Sequence, residues 1–167
     1  VSAGAWAFTW LVDGRGAATT TAAILTALYW AGFTAARLIG AVIGDRRSPA
    51  SMISAAGVLL VAGMVWMTVD PAGTGGVGLP VAGAGVALVF PVLVATTVRR
   101  FGGRGDTVVG WGFAAASLGS ASFPWIVGQV AERAGFGAVG PVLIVGAAAV
   151  ALAAARVTRS TVPGPTG

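Results

Sequence analysis

The chain has 167 residues, of which 56% are hydrophobic and only 9% charged, where a soluble domain of this size carries roughly a quarter charged residues. Too little polar surface is available to cover a water-facing globule, so lipid must solvate much of it. There is no Lys, His, Asn or Cys, which excludes Cys/His metal clusters, thiol nucleophiles, histidine bases and disulfides. The net charge of +5 comes from ten arginines. They sit in short clusters between apolar runs, without aromatic interleaving, which points to membrane-flanking charge and not to a nucleic-acid partner.

The first apolar run, 1–12 (VSAGAWAFTWLV), meets Asp13-Gly14-Arg15-Gly16 before reaching the ~20 residues a span needs. Trp6 and Trp10 bring no polar face with them, so the run reads as the second half of a truncated first helix. No basic region precedes it, and a cleavable signal peptide is not expected. The second run, 19–43, is interrupted only by Arg37 and closed by Gly44-Asp45-Arg46-Arg47-Ser48-Pro49. The third, 52–69, ends at Asp70-Pro71 and a glycine-rich turn. The fourth, 77–98, ends in Arg99-Arg100 and the fifth, 107–130, at Glu132-Arg133. The sixth, 136–157, leads into a Pro/Gly-rich tail, 158–167, expected to be disordered. All six read as helices, because an open strand in lipid leaves its backbone groups unpaired. The expectation is an all-α integral membrane bundle with five complete crossings.

Alternate loops divide the arginines unequally. Arg46, Arg47, Arg99, Arg100, Arg104, Arg156 and Arg159 follow the second, fourth and sixth runs, whereas Arg15 and Arg133 lie on the other side. Arginine excess marks the cytoplasmic side, which places the C-terminus inside a cell membrane.

The segment 37–47, RLIGAVIGDRR, resembles the loop signature between the second and third helices of each half of a major facilitator superfamily transporter; Ala41 stands where the signature's leading Gly usually sits. Residues 83–91, GAGVALVFP, are similar to the fourth helix of the C-terminal half in sugar permeases of the fucose-permease type. Residues 118–124, LGSASFP, with Gly128 following, are similar to the fifth. The resemblance covers nearly the whole chain in the right order. It implies a six-helix bundle, the C-terminal half of a transporter, working with a missing N-terminal half about a midplane site.

Arg37 lies within a span, where a charge costs on the order of 3 kcal/mol unless it snorkels or pairs. With Asp45 and Arg46 it forms a candidate inner-loop charge network. Rings stack on apolar faces of a sugar-like solute and hydroxyls exchange hydrogen bonds with it. The candidate solute path therefore comprises Trp10, Tyr29, Trp30, Phe90, Trp111, Ser117 and Ser120, set against the alternative that small residues and aromatics serve helix packing and interface anchoring. Tyr29 and Trp30 point about 100° apart, so at most one faces the path. No Asp or Glu lies inside a complete span, so a proton-coupling carboxylate would have to belong to the other half. No metal or cofactor is expected, and nothing in the chain performs enzyme chemistry. The expected partners are the bilayer, a small polar solute and the missing half. Drug efflux and a small stand-alone multipass subunit are the competing readings.

Overall fold

The computed structural model describes residues 2–69 and 75–159, all helical apart from short turns. Six helices follow in order: α1 (Ser2–Thr9), α2 (Thr19–Ile43), α3 (Pro49–Val69), α4 (Gly78–Phe101), α5 (Gly105–Ala134) and α6 (Val139–Arg159). A π-helical turn, Trp10–Gly14, extends α1. The stretches Thr19–Arg46, Pro49–Val69, Gly78–Ala134 and Phe136–Thr158 are long and apolar enough to cross a membrane. This is an all-α membrane protein.

The stretch Gly78–Ala134 is 57 residues long, about 86 Å if straight and far beyond the ~30 Å hydrocarbon core. It folds back at Gly102, whose φ of 49° is costly for a residue with a Cβ, and the Phe90 and Phe113 rings then meet across the hairpin, 4.8 Å apart. Helix α5 carries no charge between Asp106 and Glu132. At the start of α3, Ser48 accepts a hydrogen bond from the Ser51 amide at 3.2 Å, and Pro49 at the first helical position has no amide to orphan.

The pairings define an alternating bundle. Gly57 packs on Ala151 and Gly140 on Thr68, so α3 and α6 run antiparallel. Gly32 lies on Pro80 and Gly40 on Leu88, so α2 and α4 run parallel, with α3 antiparallel to both. One end of the bundle therefore gathers residues 13–18 and 135–138 and the last turn of α3. The other gathers residues 44–48 and 102–104 and the last turn of α6. The seven clustered arginines belong to this second end, called the basic end below.

Small residues let α4 sit between its neighbours. A Cβ on Gly78 would lie 2.7 Å from the Met67 nitrogen, one on Gly63 would lie 2.7 Å from the Gly78 carbonyl oxygen, and one on Gly83 would strike the Tyr29 carbonyl. The larger core, with Tyr29, Met64, Met67, Leu79 and Val127, fills the half of the bundle away from the basic end. A smaller one of Ile53, Ala56, Val89, Val92 and Ala154 fills the basic half.

Two details differ from the sequence reading. Helix α6 continues through Arg159, and Thr158, expected in the tail, is buried with its hydroxyl donating 3.1 Å to the Ala154 carbonyl. In a helix Thr returns its hydroxyl to its own backbone and so stays compatible with an apolar setting. Residues 160–167 and the Asp70-Pro71 turn lie outside the described residues.

Replacing Gly85 by Leu is expected to destabilise the bundle by about 1–3 kcal/mol or more through overpacking, because a Cβ there would lie 2.6 Å from Leu60 Cα and 2.8 Å from the Ala56 carbonyl oxygen. Gly112→Ala, where nothing lies within 4 Å, is the neutral control. Thermal loss of helicity in detergent measures both.

Candidate functional site

Helix α2 carries a ladder of rings ending in a charge. Tyr29 is buried against α1, where a Cβ on Gly4 would come within 2.7 Å of its ring. Its ring meets Trp30 edge-on at 5.1 Å, and Trp30 meets Phe33 at 5.7 Å. The Arg37 guanidinium lies over the Phe33 ring, 4.8 Å from its centroid. A cation on a ring face gains about 0.5–2 kcal/mol, which offsets part of the cost of a guanidinium within an apolar helix. Trp30 is half exposed at 46%, so of the adjacent pair it alone faces outward.

At the basic end, α2, the start of α3 and the last turns of α4 enclose an open cavity of about 400 Å³. Arg37 and Asp45 both line it, together with Arg47 and Arg99; Arg46 is not among its lining residues. Asp45 forms no ion pair with these arginines among the described residues. The charges share a space without direct contact.

Helix α5 is the unusual element. It joins α4 at the hairpin, where Gly105 is buried against Val98, and the bundle's far end, where Val127 is buried. Between them every residue of the stretch 110–122 is exposed. That stretch contains Trp111, 75% exposed, with Ser117, Gly119, Ser120 and Ser122. The Ser122 hydroxyl donates to the Leu118 carbonyl at 2.8 Å. Of the sequence candidates, Trp111, Ser117 and Ser120 thus share an uncovered segment, and Phe90 sits at its edge against Phe113. Trp10 is buried in the π-helical turn, under the Arg15 guanidinium at 4.6 Å. Trp10 and Tyr29 are core residues; Trp30 and the α5 residues are surface residues.

Two further contacts hold the far end together. Arg15 donates to the Thr68 carbonyl at 2.8 Å and more weakly to that of Met67 at 3.4 Å, occupying acceptors that the end of α3 leaves open. Trp6 donates from Nε1 to the Pro124 carbonyl at 3.1 Å, with its ring against Gly128. That bond ties α1 to α5 beside the proline. The helix-end position of Arg15 was a signal for the first contact; a link across 118 residues leaves none in the sequence. Among the described residues no group of three His, Cys, Asp or Glu is placed to hold a metal ion.

Comparison with known proteins finds no matching family model, no matching curated protein and no matching solved structure.

Replacing Trp6 by Phe keeps most of the packing but removes the bond to Pro124, and is expected to cost about 1 kcal/mol. The loss should appear as earlier thermal unfolding in detergent, accompanied by faster amide hydrogen exchange in 124–134 than in α4. Uniform acceleration across both helices would show that the bond does not anchor α5 locally.

Proposed function

We propose that this chain is one half of a secondary transporter that moves a small polar solute, such as a sugar, by alternating access. The observation that carries this reading is the bare stretch 110–122 of α5. A helix built to face only lipid has little use for three serines and three glycines spread through thirteen residues (110–122), whereas a helix facing a second bundle or a water-filled path uses both. Small residues permit close helix approach, and hydroxyls supply hydrogen bonds to a polar solute. Trp30 on α2 and Trp111 on α5 add ring faces on which the apolar side of a sugar can stack.

Three other features support it. The alternating bundle gathers seven arginines at one end, the arrangement expected if that end is cytoplasmic and the protein sits in a cell membrane. The order of the motifs in 37–47, 83–91 and 118–124 matches the major facilitator pattern. Arg37 and Asp45 on one cavity wall suit an inner-loop charge network that is remade as two bundles rock. Export of apolar compounds is the second reading, favoured by the exposure of Trp30, Trp111 and Phe113.

The gene and the flux test these readings. A coding sequence with about six further apolar segments upstream of Val1 is expected for the two-bundle architecture; a start codon directly before Val1 removes the half-transporter reading. In vesicles containing the complete protein, Ser117→Ala combined with Trp30→Ala is expected to lower sugar flux at least ten-fold. Undiminished flux takes both residues out of the path. Flux of an apolar cation but not of sugars would favour export.

A further inference from the structure

The cavity at the basic end has walls of two kinds. Arg37, Arg47 and Arg99 reach it with a single carboxylate, Asp45, leaving an excess of positive charge. Met52 on α3 and Leu88, Pro91, Val92 and Ala95 on α4, the helix that also carries Arg99, supply an apolar lining beside them. Asp45 does not neutralise the arginines by direct pairing, and Arg37 rests on a ring, not on a carboxylate. The cavity is open to the surface, among the helix ends where an apolar bundle meets the polar edge of a bilayer. Guanidinium groups bind phosphate oxygens bidentately.

From these walls we infer that the cavity binds an anionic phospholipid, its phosphate held by Arg47 and Arg99 and its glycerol and upper acyl carbons lying against Leu88, Pro91 and Val92. A free phosphate ion would satisfy the arginines but leave the apolar wall wet, and the volume of about 400 Å³ is several times that of one phosphate group. A zwitterionic lipid would bring its own cation toward the arginines. The lipid takes the charge that Asp45 leaves uncompensated and braces the ends of α2 and α4 against the start of α3. This inference needs only that the chain spans a membrane, and it survives if the transport reading fails.

Native mass spectrometry of the full chain released from detergent, titrated with phosphatidylglycerol or phosphatidylcholine, tests it. One phosphatidylglycerol is expected to remain bound at least ten-fold more tightly than phosphatidylcholine. The double variant Arg47→Gln, Arg99→Gln should lose that preference, while Arg133→Gln, at the opposite end, keeps it. Asp45→Asn removes the competing carboxylate and is expected to strengthen binding several-fold, a gain that misfolding cannot produce. Millimolar inorganic phosphate should leave the lipid in place. Equal binding of the two lipids, retention of the preference in the double variant, or no gain in Asp45→Asn would overturn the inference. Displacement of the lipid by inorganic phosphate would reassign the cavity to a soluble phosphate.

Discussion

Helix α4 lies with its backbone against two neighbours at once, and the rest of the bundle is arranged around that fact. Toward α3 it presents Gly78, Ala82 and Gly85, which meet Gly63 and the backbone at Leu60 and Met67; toward α2 it presents Pro80 and Gly83, which meet Gly32 and the Tyr29 carbonyl. In lipid the hydrophobic effect does little to bring helices together, since acyl chains are as apolar as leucine. What remains is dispersion at short range, and that requires residues small enough for backbones to approach. The glycines of α2, α3 and α4 meet this condition from both sides of each contact.

That three-helix slab determines where the open surfaces fall. With α4 occupied by α2 and α3 on two sides, α5 meets it at the hairpin, where Gly105 lies on Val98, and at the Phe90–Phe113 contact. Helix α5 is then held at its far end by α1, through Trp6 and Pro124, and by α6, where Phe123 lies against Gly146. Between the two attachments lies the serine- and glycine-rich segment on which the proposed solute path depends. The same slab leaves the cavity at the basic end, since α2, α3 and α4 pack closely at their centres while their terminal arginines stand apart.

Much of this was legible in the residues. A composition poor in charge dictates helices in lipid, and the apolar runs between arginine and glycine clusters coincide with α2 to α6. Arg37 was recognisable because a lone charge inside an apolar run needs an explanation. Its ring partner Phe33 is four residues earlier, a helical spacing, and was open to the same reasoning. The path candidates were less legible. Trp10 and Tyr29 are as aromatic as Trp30 and Trp111, and nothing local separates a ring packed inside from one left outside. Arg99 reaches the cavity only because α4 runs parallel to α2.

By itself the sequence determined the solvent, the helical class and the unequal distribution of arginine between alternate loops, because those depend on hydropathy and on residues counted along the chain. Only the tertiary structure decided that α4 is the central helix, that Trp6 reaches Pro124, that 110–122 is bare, and that Arg37, Arg47, Arg99 and Asp45 share one cavity. Those outcomes depend on how closely two backbones can approach, and that distance is set jointly by residues far apart in the chain.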